Sequence, residues 1–176
     1  SATRAGGKSV RVIPEGDAVA RGPGRLVDEA AARRDGFDAM VRPRHGKPVP
    51  ALSLDLGNPH AVVMLPDAVG LDVLDLTGAP EVQPEPAHGS NVEFVQPLGP
   101  GHIAMRVHER GVGETRSCGT GAAAAALATR FWSGVEDRAS WLVDVPGGRL
   151  KVTPLPGQGV ELAGPAELVA DGDFPL

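Results

Sequence analysis

The sequence predicts an α+β fold: a strongly bent, mostly antiparallel sheet around one long central helix at about residues 119–133. Several short runs alternate apolar with polar residues, the pattern of half-buried strands. Glycine (24) and proline (17) punctuate those runs, as a loop-rich sheet protein requires. One stretch, "CGTGAAAAALATRF" from Cys118 to Phe131, abandons the alternation for helical spacing.

From the start of the chain, "KSVRVIPEGDAVARGPGRL" reads as two strands around a "PEGD" turn, stopped at Gly22 to Gly24. "PVPALSLDLGNPHAVVML" places Leu52, Leu54 and Leu56 at alternate positions, breaks at "GNPH", and resumes as an apolar run from Ala61 to Leu65. That is strand, loop, strand. Leu71 to Thr77 fits a helical turn and a short strand equally. "SNVEFVQPL" and "HIAMRVHER" are two further strands, with Val92, Phe94 and Gln96 on one face of the first and Ile103, Met105 and Val107 on one face of the second. Within residues 119–133, Ala123, Ala126, Leu127 and Phe131 form the stripe of an amphipathic helix. Alanine is the best helix former, and a methyl-sized face lets another element approach closely. After Gly134, "ASWLVDVPGGRLKVTPLPGQGVELAGPAELVA" carries a "PGG" hairpin, a second turn at "PGQG" and two more strands.

Composition excludes several classes of function. Seventeen Lys and Arg against 22 Asp and Glu give a net charge of −5, which argues against a general binder of nucleic acid or anionic membrane. The longest apolar run, Ala122 to Ala128, falls far short of the roughly 20 residues of a membrane span. A single cysteine cannot close an internal disulfide, and no C-x-x-C or His/Cys cluster marks a metal site. A reducing, cytoplasmic setting without a metal is the expectation.

Cys118 stands at the junction of a polar loop and the helix. The free N–H groups of a helix start favour negative charge there, and Arg110 and Arg116 add to it, so the spacing predicts a thiol biased towards thiolate. Gly119 and Gly121 would let the backbone approach a ligand carboxylate, and Thr120 adds an amide and a hydroxyl. The bland alternative is a small buried core residue. "GTGAAA" also satisfies G-x-G-x-x-A, but a polar loop of about nine residues, Arg110 to Cys118, separates it from the preceding strand, which argues against a dinucleotide turn.

"ERGVGETRSCGTGA" resembles the second cysteine motif of the diaminopimelate epimerase family. In the same order along the chain, "GNPHAV" resembles that family's asparagine and histidine loop, "SNVEFV" its second asparagine strand, and "VPGGRLKV" and "GPAELVADGDF" its closing hairpin and return strand. The resemblance implies a diaminopimelate-epimerase-like domain and a cofactor-independent inversion of L,L-diaminopimelate to the meso isomer, a step of lysine and peptidoglycan synthesis. Two cysteines on opposite faces of the α-carbon would exchange its proton. Cys118 matches the second cysteine, and Gly119 and Thr120 the amides on the substrate carboxylate. Glu109 matches the carboxylate that partners this cysteine and helps bind the reacting amine. Arg110, Asn58 and Asn91 match the groups that hold the distal end, and His60 the imidazole associated with the first cysteine. Taken singly, each has a plainer reading: Asn58 as a turn residue, His60 as a core histidine, Glu109 and Arg110 as a solvated ion pair, Asn91 as the end of a turn. His45, His88, His102 and His108 are left as unassigned surface or loop residues.

The sequence departs from the family in one respect: it has no Cys-Gly-Asn-Gly motif and no second cysteine. The expectation is therefore a C-terminal half, with residues 1–25 the last strands of a truncated N-terminal domain, 26–164 the C-terminal epimerase domain and 165–176 a return strand. Such a half would be inactive alone. Its partners would be diaminopimelate, the missing N-terminal domain and, through the face left for that domain, a second copy. The alternatives are a non-catalytic binding or dimerisation module of the same fold, or a related amino-acid racemase.

Overall fold

Alternation of side chains across a pleated strand decides where each residue of this chain points, and the result is a bent, mixed sheet with a hydrophobic cluster on each face. The computed structural model describes residues 2–3, 6–7, 10–13, 16–21, 24–135, 140–157 and 159–165. The chain runs β1 (Ala2–Thr3), β2 (Gly6–Gly7), β3 (Val10–Ile13), β4 (Gly16–Arg21), β5 (Arg25–Leu26), α1 (Glu29–Asp35), β6 (Ala39–Arg42), β7 (Val49–Asp55) and β8 (Pro59–Met64). A 3-10 turn at Leu71–Val73 follows, then β9 (Glu81–Gln83), β10 (Asn91–Gly99), β11 (His102–Glu109), β12 (Gly113–Thr115), α2 (Gly119–Ser133), β13 (Trp141–Val145), β14 (Gly148–Pro154) and β15 (Val160–Gly164).

β1 and β2 pair with each other. Among the described residues the main sheet is ordered β3-β4-β15-β14-β13-β11-β10-β8-β7-β6-β9, with β12 added to β11 and β5 to β7. Two of its pairings are parallel, β8 with β10 and β11 with β13. Alternation alone does not distinguish these from antiparallel neighbours.

In β10, Val95 points into the cluster that contains α2, whereas Val92 and Phe94 point into the opposite one. Ile103, Met105 and Val107 of β11 share the α2 side, as do Leu52 and Leu54 of β7, so these expected faces are observed. On the far side, Arg106 donates to the carbonyls of Leu71 (2.5 Å) and Leu74 (3.0 Å), which ties the 3-10 turn to the sheet. That resolves the open choice at Leu71 to Thr77 as a helical turn.

α2 occupies the span that the sequence predicts, but its burial is wider than a stripe. Gly121 to Ala126, Ala128 and Thr129 are all buried, and the helix packs against β7, β8, β10, β11, β13, β14 and β15. Methyl-sized side chains around most of the circumference let the sheet wrap it. The expectation of a single helix is corrected by α1, which is capped by Asp28 accepting from Ala31 N at 2.9 Å and ends at Gly36. The two helices meet where Trp132 Nε1 donates to Gly36 O at 2.7 Å. The "VPGG" hairpin joins β13 to β14 as expected. The return strand expected at 165–176 lies, but for Pro165, outside the described residues.

Candidate active site

Register brings the start of β8, the start of β10 and the end of β11 to one end of the sheet. Asn91 lies beside His60 in the parallel pair, and Val92 faces His108 in the antiparallel one. α2 begins at the same end. β12 folds back on the last residues of β11, from Val107 to Glu109, and the chain then turns through Arg116 and Ser117 to Cys118. That approach is held by the β13–β14 hairpin, where Gly147 N donates to Arg116 O at 2.7 Å. A Cβ on Gly147 would stand 3.0 Å from that oxygen, so any larger residue would crowd this approach.

Cys118 is the N-cap of α2. Its Sγ accepts from Gly121 N at 3.3 Å and lies 3.6 Å from Thr120 Oγ1, and its carbonyl accepts from Ala122 N at 2.8 Å. The amides of Gly119 and Thr120 precede the first intrahelical donor, so the helix itself leaves them free for a ligand. Asn58, in the turn between β7 and β8, reaches Thr120 Oγ1 with its amide at 3.4 Å. Asn91 Oδ1 accepts from Arg110 N at 2.9 Å, and Glu109 Oε1 accepts from the Thr115 hydroxyl at 2.5 Å. His60 Nδ1 lies 2.7 Å from Oε1 of Glu93, with both side chains fully buried.

The electrostatics correct one expectation. Burial pushes the Cys118 thiol up from its ordinary value; the contacts from Thr120 and Gly121 pull it down, and the Glu109 and Glu93 carboxylates push it up again. Neither expected arginine serves it: Arg110 Nη1 donates to His88 O at 2.9 Å, and Arg116 Nη2 reaches Pro146 O at 3.4 Å. The thiol at the helix start, 8% exposed, is thus shifted towards its neutral form, and the charged side chains that act on it are Glu109 and Glu93. Glu109 and Arg110 turn to separate partners and form no solvated pair of the plain kind. His102 and His108 lie in β11 rather than in loops, and His108 is buried. The strand before α2 is β12, antiparallel to its neighbour, which is not the context of a dinucleotide turn.

The structure thus brings Asn58, His60, Asn91, Glu109, Cys118, Gly119 and Thr120 to one end of the sheet, with Arg110 at its margin. Glu93 belongs to the same cluster and was not among the expected residues. Its signal was present: a carboxylate enclosed by apolar neighbours in "NVEFV", on the same side of β10 as Asn91 and Val95. Among the described residues no group of His, Cys, Asp and Glu is arranged to hold a metal ion, and no helix is long and apolar enough to cross a membrane.

A mixed sheet thus sets a buried thiol at a helix start, among carboxylates and an imidazole. The family model for diaminopimelate epimerase matches residues 52–169, and the chain belongs to that family. It is 45% identical to a diaminopimelate epimerase of Streptomyces coelicolor, covering 98% of this chain and 59% of that protein. It is 40% identical to that of Rhodococcus opacus, covering 98% and 58%, and 36% identical to that of Pseudomonas paraeruginosa, covering 99% and 64%. The chain therefore spans between 58% and 64% of the length of these relatives. A solved structure described as a PhzC/PhzF phenazine biosynthesis protein from Clostridium difficile has a TM-score of 0.56 over 97% of this chain and 62% of its own, at 11% identity. That likeness concerns the fold alone.

Proposed function

We propose that this chain forms one wall of a cofactor-independent epimerase site that interconverts L,L- and meso-diaminopimelate. The carrying observation is the Cys118 thiol at the start of α2, beside the two helix-start amides and the cluster of Asn58, Asn91, Glu109 and His60. Residues 26–164 are the body of this half-site, with α2 as its central helix.

The chemistry follows from that placement. The substrate carboxylate sits on the Gly119 and Thr120 amides, where the helix dipole stabilises the charge that develops as the α-proton leaves. In one direction a thiolate on the opposite face takes that proton and becomes a thiol. Cys118 then delivers its own proton from behind and becomes the thiolate, so protons and charge balance. In the reverse direction the roles exchange. A resting neutral thiol suits the delivering role. Glu109 meets the reacting ammonium, while Asn58, Asn91 and Arg110 hold the distal end. The chain has one cysteine, so the opposing group has to come from outside these 176 residues. Without that second wall, water reaches the carbanion-like state and weakens its stabilisation.

The test is α-proton exchange of L,L-diaminopimelate in deuterated water, followed by NMR. The chain is assayed alone and with a separately made polypeptide carrying the first-cysteine half of a relative. Exchange is expected only with both halves, falling by about a hundredfold or more in Cys118→Ala. Turnover by the chain alone near that of a complete epimerase would refute the half-site. Absence of exchange with two folded halves would refute the activity.

A further inference from the structure

Two polar atoms at the centre of the cluster, Nε2 of His60 and Oε2 of Glu93, are buried without a hydrogen-bond partner. Buried polar atoms are nearly always satisfied, so such a pair calls for an explanation. We propose that Glu93 is a positioning residue: it shares one proton between its Oε1 and His60 Nδ1, and thereby fixes a hydrogen on His60 Nε2 as a donor for an anionic partner.

The packing shows that the pair is built in. Glu93 projects from β10 on the same side as Val95, towards α2, and His60 from β8 on the same side as Val62. A Cβ on Gly121 would stand 2.8 Å from Glu93 Oε1, so the first turn of α2 leaves its side-chain position empty where the carboxyl sits.

Counting protons then selects the state. If the pair held one proton, on Nδ1, it would carry a net negative charge and Nε2 would be a bare acceptor. If it held three it would carry a net positive charge. With two it is neutral overall. Sharing one of them across the 2.7 Å contact between Oε1 and Nδ1 leaves the other on Nε2 and makes the stronger, charge-assisted bond. A ring hydrogen on Nδ1 with the carboxyl proton on Oε2 makes only a neutral bond and is the bare-Nε2 outcome tested below. Full burial disfavours both charged states. Among the groups facing the pair from the adjoining elements, Glu109 at the end of β11 weighs further against a negative charge, and Cys118 on α2 brings no positive charge to offset it. Burial, with a smaller push from Glu109, moves the Glu93 carboxyl above its ordinary range, although His60 opposes this. An N–H donor suits an anion, and on the epimerase reading that anion is the opposing thiolate or the carboxylate of the reacting amino acid. The catalytic meaning rests on that reading; the tautomer does not.

The decisive measurement is a long-range proton–nitrogen spectrum of the ¹⁵N-labelled chain. The expected result is a His60 ring that carries a hydrogen on Nε2. A bare Nε2 with its only hydrogen on Nδ1 would overturn the proposal. Glu93→Gln, whose amide can donate to Nδ1, should keep the wild-type ring signals. Glu93→Leu should replace them with an averaged mixture of tautomers, and unchanged signals there would show that Glu93 positions nothing. If the leucine variant fails to fold, the wild-type spectrum still decides. In the recombined halves Glu93→Leu should lose on the order of tenfold to a hundredfold in exchange, the range seen when the partner behind a functional histidine is removed, and Glu93→Gln far less. A shifted tautomer with undiminished exchange would overturn the catalytic role and spare the epimerase reading. Failure of wild-type exchange would overturn that reading and leave the tautomer measurable.

Discussion

Cys118 is shifted towards the thiol because burial outweighs the hydrogen bonds from Thr120 and Gly121 that favour the thiolate. The Glu109 and Glu93 carboxylates add smaller pushes in the same direction as burial. The consequence for stability has a definite sign. A thiol raised in the folded state binds its proton more tightly there than in the unfolded chain, whose ordinary value is about 8.5. The contribution is fully present below that value and is lost as pH rises through the raised one. Native Cys118 is therefore expected to alkylate more slowly at about pH 8 than the same residue in urea, with a midpoint displaced upward. Rates with iodoacetamide across pH check this, and equal midpoints would contradict it. The residues gathered at this end of the sheet were legible because most of them sit in short linear motifs. Glu93 was hidden because its partners are not local: only the pairing of β10 with β8 brings it to His60, and apolar alternation treats it as a solvent-facing position. The supposed pull of Arg110 and Arg116 failed for the same reason, since proximity in sequence did not fix where their side chains end.

At the level of elements, α2 shows packing overriding propensity. Gly121 lies inside a helix, where alanine would normally gain about 1 kcal/mol. Its Cβ, however, would stand 2.8 Å from Glu93 Oε1 and 3.3 Å from Cys118 Sγ. Overpacking of that kind costs about 1–3 kcal/mol, so the two effects together favour glycine. Gly121→Ala is expected to lower stability by up to about 2 kcal/mol, read from urea unfolding, and to change the alkylation rate of Cys118. A more stable variant with an unaltered thiol would contradict this. α2 was legible from its alanine run and glycine stop. α1 was not, although Asp28 and Gly36 mark its ends, because seven residues with alanine as their only apolar type leave no measurable stripe.

The two hydrophobic clusters of the molecule share strands. β7 contributes Leu52 and Leu54 to one and Ala51 to the other; β8 divides Val62 from Val63, and β10 divides Val95 from Phe94. Neither face can be lost without the other. Phe94→Ala, on the side away from α2, is expected to cost about 3–5 kcal/mol. The loss should appear equally in the fluorescence of Trp141, which lies in the α2-side cluster, and in far-ultraviolet circular dichroism. Non-coincident transitions would show that the faces unfold separately. The broad α+β architecture was legible at this scale, whereas the parallel joins were not, since they depend on which distant strands meet. Those joins also set the order of events during folding. β8 can reach β10, and β11 can reach β13, only after long intervening segments have closed, and such closures slow the search. A newly made chain is therefore expected to expose the Cys118 thiol to oxidants and electrophiles until these pairings form, and the onset of protection from alkylation during refolding checks this. Protection of that sulfur is a chemical clock for the completion of the fold.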